Sequence, residues 1–445
     1  MNQRDKIELI KNGKMKDSLL IICIPTMIGM IITALYYLVD SYFVSGLGHE
    51  QLAAISVVFP IFQIILGIGL IFGSGAGSFI SRLLGQNDLD RANSTATMSI
   101  LYGIITTFIF SITILVFLKP ILIFIGATDS IIKYAQSYSK IVILSSYLTV
   151  FNITMNNLMT SEGRSNITMS IMAMGAILNI FLDPIFIYKF NLGINGAAYA
   201  TAIAQAITTL LYIYRILSKK NLLKIGLRYI KKDLYILVEI FRIGIPIFLN
   251  RILTSVSVGL TNMAAKPYGD DAIAAMGIML RVMSIGLYVV FGFTKGFIPV
   301  IGINYGSGEN KRVKSAIKIT KRWGFIFCAL FGGIIMISAR PIAILFAKDG
   351  PEFLIEIATK ALVYNGLAFV FFSYQNIYSS AFLAMGKALE AGVLNLSRQG
   401  IFFIPLIIIL PRLFGLKGLI ITQPIADILT LNLTRYFVYK NRELI

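Results

Sequence analysis

The sequence predicts an all-α polytopic membrane protein of twelve transmembrane helices in two pseudo-symmetric six-helix lobes. Three observations predict it. The first is composition: of 445 residues, 57% are hydrophobic and 14% charged, with a mean hydropathy of +0.79. A soluble domain carries about 25% charged residues. The second is an internal repeat. At one constant offset Pro25 falls on Pro246, Gly48 on Gly269 and Lys119-Pro120 on Arg340-Pro341. At the same offset Gly85-Gln86-Asn87-Asp88-Leu89-Asp90-Arg91-Ala92 falls on Gly306-Ser307-Gly308-Glu309-Asn310-Lys311-Arg312-Val313. One residue further on, Leu192-Gly193-Ile194-Asn195-Gly196 matches Phe414-Gly415-Leu416-Lys417-Gly418. The third is the placement of Lys and Arg, which crowd into alternate loops.

In chain order, Met1 to Asp17 is polar and holds Arg4, Lys6, Lys11, Lys14 and Lys16. The apolar run from Ser18 is too long for a signal-peptide core, lacks a clear cleavage site, and reads as the first span. Hydropathy places the first six spans at 18–43, 52–81, 95–118, 136–160, 166–188 and 195–214. It places the second six at 243–265, 272–303, 323–346, 361–385, 391–411 and 418–439. The chain thus divides into a first lobe over 1–215, a basic connector over 216–242 and a second lobe over 243–445. An even number of spans returns each half to its starting side. The halves are therefore parallel repeats about an axis along the membrane normal, which suits alternating access.

The basic loops include the N-terminus, Arg82, Arg91, Arg164, the connector, Lys311 to Arg322, Lys387 and Lys440. This side is expected to be cytoplasmic, with both termini inside a cell membrane. The same pattern explains the net charge of +19 without nucleic acid. Cys23 and Cys328 lie far apart in apolar runs and suggest no disulfide framework. With His49 the lone histidine, a His-based metal centre is excluded. No Ser/His/Asp set, Walker sequence or metal-ligand cluster is visible, so the sequence calls for neither catalysis nor a cofactor.

The functional signal is Asn179-Ile180-Phe181-Leu182-Asp183-Pro184, a carboxylate in a run otherwise free of charge from Ser165 to Leu182. An ionisable residue inside a span marks a functional site by default. Asn179 and Asp183 are four apart and share a helix face. Pro184 cannot donate to the Ile180 carbonyl, which leaves that oxygen free beside them. Amide, carboxylate and free carbonyl suit a proton or a small cation such as Na⁺. Asp40 is the other buried acid of the first half, and Tyr36 shares its face. Measured along straight helices, Asp40 lies ~35 Å and Asp183 ~27 Å from the inner face, and Thr201 ~10 Å from the outer one. All three fall in the outer half of the membrane. The ionisable residues inside the second half's spans are instead mostly basic, Arg251, Arg281, Lys295 and Arg398, with Asp427 the exception. Asp40 falls on Thr261, so the acidic site is not duplicated.

Other signals are weaker. Gly73-Ser74-Gly75-Ala76-Gly77 sits within a span and reads as close helix packing. Met155, Met159 and Met172 line a substrate pocket or simply fill the core. Pro25 and Pro184 are hinges or static kinks.

These residues together resemble the multidrug and toxic compound extrusion (MATE) family over nearly the whole chain. The resemblance rests on Asp40-Ser41-Tyr42-Phe43-Val44-Ser45-Gly46-Leu47-Gly48, on the Gly85 to Ala92 motif with its repeat copy, on Asn179 with Asp183-Pro184, and on Gly193 to Thr201. The pattern is most similar to the prokaryotic DinF-like and MepA-like branch. The resemblance implies a V-shaped pair of lobes and export of amphipathic organic cations, coupled to H⁺ or Na⁺. It assigns Asp40, Asn179, Asp183 and Thr201 to the coupling site, with Tyr36 beside it. The protein is expected to work as a monomer in the bilayer. Gly244-Ile245-Pro246 is followed by Ile247 to Arg251 without the glutamate of many sodium-coupled relatives, which puts a second-lobe sodium site in doubt. The basic second half keeps a rival open: a flippase for lipid-linked oligosaccharides or other anionic lipids.

Overall fold

The computed structural model describes residues 3–218, 222–231, 233–347 and 350–444. Lys219, Lys220 and Lys232 of the expected connector lie outside the described residues, as does Lys348. The described residues form helices and no strands. The first lobe holds α1 (Gln3–Asn12), α2 (Met15–Ser45), α3 (His49–Gly85), α4 (Leu89–Val116), α5 (Leu118–Ile125), α6 (Ile132–Ser161), α7 (Ser165–Pro184) and α8 (Gly193–Leu217). The second holds α9 (Leu234–Ala265), α10 (Asp270–Gly306), α11 (Asn310–Ile337), α12 (Ala339–Ala347), α13 (Glu352–Ala384), α14 (Ala388–Leu396) and α15 (Phe403–Lys440). Backbone groups in a bilayer must pair within the chain, so apolar runs of this length fold as helices.

Among the described residues, ten helical stretches are long and apolar enough to cross a membrane, the last running from Ala388 to Lys440. That last stretch is two crossings. Gly415 leaves helical geometry at φ 59°, ψ −141°, and Gly418 lies against the Leu410 carbonyl, so the chain reverses there. With α9, 32 residues long, the crossings number twelve. Several boundaries differ from the sequence expectation, α13 for one opening at Glu352 rather than 361. Helix α9 begins at Leu234 rather than 243, capped by Asp233, whose side chain accepts from the Tyr235 amide at 3.0 Å. Helix α11 begins at Asn310 rather than 323, because its basic first turns bury Val313, Ala316, Ile317 and Thr320 on one face.

The repeat is written into the backbone. Left-handed residues recur in pairs: Gly48 (φ 92°) with Gly269 (φ 91°), Asn87 (59°) with Gly308 (79°), and Gly193 (53°) with Gly415 (59°). A side chain is strained in that region, which explains why glycine holds most of these turns. The short helices α5 and α12 are a further pair, each following the third crossing of its lobe.

The lobes meet along α2 with α10 and α3 with α9. A Cβ on Gly296 would stand 2.6 Å from the Cys23 Cα, and one on Gly292 2.6 Å from the Met27 Cα. Only glycine permits such an approach. On the terminus-bearing side, Arg82 pairs with Glu239 at 2.8 Å, and the Ser78 hydroxyl donates to the Leu383 carbonyl at 2.6 Å. Helix α1 ties both lobes there. The Lys11 ammonium donates to the Gly85 carbonyl (3.0 Å) and to Asn87 Oδ1 (2.9 Å), while Arg312 donates to the Ile10 (2.8 Å) and Gly13 (2.9 Å) carbonyls. Farther from the termini, α2 leaves Leu35, Leu38 and Tyr42 exposed, and the lobes part into a V.

Candidate functional site

The first-lobe acids meet at the far end of α2 and α7. The Tyr188 hydroxyl donates to the Phe43 carbonyl at 2.6 Å, and Gln51 Oε1 accepts from the Ile194 amide at 2.8 Å. The first bond pins the last turn of α2 against the chain leaving α7, and the second ties the start of α3 to the start of α8. Asp40 lies one turn back from Phe43 and so faces Asp183. After Pro184 the helix widens into a π turn over Ile185–Lys189, where the Phe190 amide donates to the Ile185 carbonyl at 2.9 Å. Such widened turns recur at functional sites.

Asp183 is 0% and Asn179 2% exposed, while Asp40 and Thr201 are half-buried. The Asn179 amide donates to Asp183 Oδ1 at 3.2 Å and to Thr201 Oγ1 at 3.3 Å. The carboxyls of Asp40 and Asp183 lie within hydrogen-bonding reach of each other. Asp183 Oδ2 and Asn179 Oδ1 are buried without a protein donor. Buried oxygens without donors are uncommon and unfavourable. Two carboxylates and a spare amide oxygen make a pocket that demands a positive partner, either a proton between the acids or a small cation. Tyr36 hydrogen-bonds with Thr201 and looks onto both acids. Every coupling residue expected from the sequence therefore stands in one cluster. Tyr138 of α6 also faces both acids. Sequence reasoning missed it because nothing around it marks it out from any other interfacial tyrosine.

The remaining expected residues are more scattered. Pro25 is buried within an unbroken α2, two residues from the Cys23–Gly296 contact. Met155 and Met159, each 1% exposed, are shut inside the first lobe, while Met172 packs on Gly29 of α2. In the second lobe, Arg398 is not a lone cation. Its Nε donates to Asp427 Oδ1 at 2.8 Å, Gln423 donates to the same oxygen at 2.7 Å, and the guanidinium lies 4.5 Å from the Phe372 ring centre. Arg281 is exposed rather than buried. Lys295 donates to Asn156 Oδ1 across the lobe interface, and the Asn156 amide donates to the Tyr212 hydroxyl at 3.2 Å. Among the described residues no three His, Cys, Asp or Glu side chains gather as a metal site.

The geometry has counterparts among known proteins. The chain is 29% identical over 426 residues to the multidrug export protein MepA of Staphylococcus saprophyticus, covering 94% of this chain and 92% of the relative. It is 30% identical over 427 residues to MepA of Staphylococcus aureus strain MRSA252, again covering 94% and 92%. Solved structures superpose over most of the chain. A MOP superfamily transporter from Pyrococcus furiosus, described by "reverse polarity of binding pocket suggests different function", matches with a TM-score of 0.92 at 27% identity, over 98% of this chain and 97% of that one. An outward-facing multidrug resistance MATE transporter matches with the same TM-score and identity, over 98% of each chain. The MatE family model matches twice, over residues 25–185 and 246–409, starting at the repeat-related Pro25 and Pro246. One such match in each six-helix lobe makes the chain a member of the MatE family, the multidrug and toxic compound extrusion transporters.

Proposed function

We propose that this protein is a secondary active antiporter that exports amphipathic organic cations against an inward flow of H⁺ or Na⁺ through Asp40 and Asp183. One observation carries the reading: Asp183 is fully buried against Asp40, with one oxygen lacking any donor. A pair so placed binds one positive charge and excludes a second. The coupling ion and the substrate cation then compete for the same charge, and that competition is what antiport requires. With the cleft open away from the termini, the ion enters the pair from outside and the substrate leaves. Parting the α2–α10 and α3–α9 seams then exposes the site to the other side, where the ion departs. Asn179 and Thr201 hold the acids in register, and the free oxygens serve as ligands if the ion is Na⁺.

The protein functions as a monomer in the cell membrane with both termini cytoplasmic, its lobes spanning 1–215 and 243–445, and the last residues of the 216–242 connector form the start of α9. The names of the staphylococcal relatives support the substrate class.

The rival reading, a flippase for lipid-linked oligosaccharides or other anionic lipids, draws on Arg251 and Lys295. Vesicles with an imposed pH or Na⁺ gradient separate the two readings. Export of a cationic dye follows one gradient and stops in Asp183→Asn, which still binds the dye. Native transport and native pH dependence in both Asp183→Asn and Asp40→Asn would move the coupling site elsewhere.

A further inference from the structure

At the opposite end of the helices from Asp40 and Asp183, the lobes enclose a cavity of about 210 Å³. Its polar lining comes from both of them: Arg82, Gln86 and Arg91 from the first, Tyr235 and Tyr305 from the second. The two arginines are held in place by rings. The Arg82 guanidinium lies 5.1 Å from the ring centre of Phe79, and that of Arg91 lies 5.5 Å from the ring centre of Tyr235. Those rings in turn meet edge to face at 6.0 Å. Stacking of this kind fixes a guanidinium and leaves the donors on its edge available.

The neighbouring acids do not use up those donors. Arg82 Nη2 donates to Glu239 at 2.8 Å, and Glu239 is shared with Arg242 at 3.5 Å. Gly386, at φ 77°, lets the turn after α13 close on Arg82 Nη1, where any side chain would overlap it. Arg82 Nε is buried with no hydrogen-bond partner among the described residues. A buried donor without an acceptor is unfavourable. Arg91 stands 3.6 Å from Asp233, with side chains 44% and 33% exposed, a pairing that contributes little. Asp88 is engaged as the cap of α4, accepting from the Arg91 amide at 3.0 Å. Arg82, Arg91 and Arg242 thus share Glu239 and Asp233, which leaves positive charge in excess. Guanidinium forks match the oxygens of a phosphate, and Gln86 and the phenols supply further donors. Basic pockets between membrane helices take phosphate headgroups where the bilayer surface reaches them.

We propose that the Arg82–Arg91 cavity is a binding site for a phosphate group, carried by an anionic lipid headgroup or by free phosphate, that bridges the two lobes at their terminus-bearing ends. The site is separate from the acidic pair and does not depend on the role given to it. A ligand that touches both lobes favours the arrangement in which they meet there.

The melting temperature of the purified full-length protein tests it. In detergent, inorganic phosphate replaces chloride at constant ionic strength. In nanodiscs, phosphatidylglycerol is compared with phosphatidylcholine. A ligand of the folded state raises the melting temperature saturably. A saturable rise with inorganic phosphate assigns the site to free phosphate. A rise in phosphatidylglycerol without one in phosphate assigns it to a headgroup. Arg91→Gln, at a half-exposed side chain, should fold and raise the half-saturating phosphate concentration about tenfold, or remove the phosphatidylglycerol rise. Arg82→Gln combined with Glu239→Gln removes the other fork without leaving an acid unpaired, and should abolish either effect. Tyr235→Phe combined with Tyr305→Phe should weaken it from the second-lobe side, and an unchanged response there would overturn the bridge. A rise that is linear in phosphate and equal in native protein and variants is the general action of an excluded salt and overturns the proposal. So does an absent rise in both arms, or a phosphatidylglycerol effect that survives in both arginine variants.

Discussion

Asp183 and Asp427 show at the residue scale how one residue type takes opposite roles. Both are buried acids, at 0% and 5% exposure. Asp427 is closed off by the Arg398 fork and the Gln423 amide. Asp183 keeps an oxygen without a donor and faces another acid. Removing one member of a buried pair leaves the other charge uncompensated, at a cost of roughly 3–5 kcal/mol. Asp427→Asn should therefore lower the melting temperature of the detergent-solubilised protein markedly, while Asp183→Asn, which removes an unpaired charge and keeps its shape, leaves it unchanged or raised. The reverse order would mean that the second-lobe pair is not structural.

At the scale of elements, the connector is strapped to the first lobe by side chains from loops and helix ends. Glu162, in the turn after α6, accepts from the Leu222 and Leu223 amides at 3.0 Å each, and Asn93 Oδ1 accepts from the Lys224 amide at 2.7 Å. Burial pushes the Glu162 carboxyl up to about 7, against the pull of those amides and of Arg164. The folded protein thus holds this proton more tightly than the unfolded chain, where the group titrates near 4.5. Stability from this group is complete below the unfolded value, falls as pH rises toward 7 and levels off above it. At about 1.4 kcal/mol per pKa unit the whole effect is about 3 kcal/mol. Glu162→Gln keeps an acceptor for both amides and removes the titration. Between pH 5 and 8 the native protein should lose more thermal stability than the variant, with parallel curves marking a wrong assignment. The expected span at 166–188 also changes character within its length, from α-helix to π turn at Pro184. Proline signals a break in the hydrogen-bond ladder, but the resulting turn depends on what the freed segment packs against.

At the scale of the whole molecule, orientation and lobe division remain the proposals with the widest consequences. With both termini inside, Lys224 lies on the cytoplasmic face. A cysteine placed there should resist a membrane-impermeant maleimide in intact cells and react once the membrane is opened. Ready labelling from outside would invert the topology and with it the direction of ion flow.

The sequence alone determined the class, the repeat and the residues of the acidic cluster. Hydropathy follows from side-chain transfer energies, and a duplicated backbone keeps its glycines wherever φ must be positive, as at Gly48 and Gly269. Asn179 and Asp183 were legible as a pair because helical spacing puts them on one face. Only the tertiary structure decided which charges are neutralised. Arg398 and Asp427 stand 29 residues apart but are bonded, Arg251 has no acid within salt-bridge distance among the described residues, and Tyr138 reaches the acidic pair from another helix. Pairing depends on how helices rotate and cross, which is set by packing of small residues such as Gly292 and Gly296 against α2, and composition carries no record of that angle.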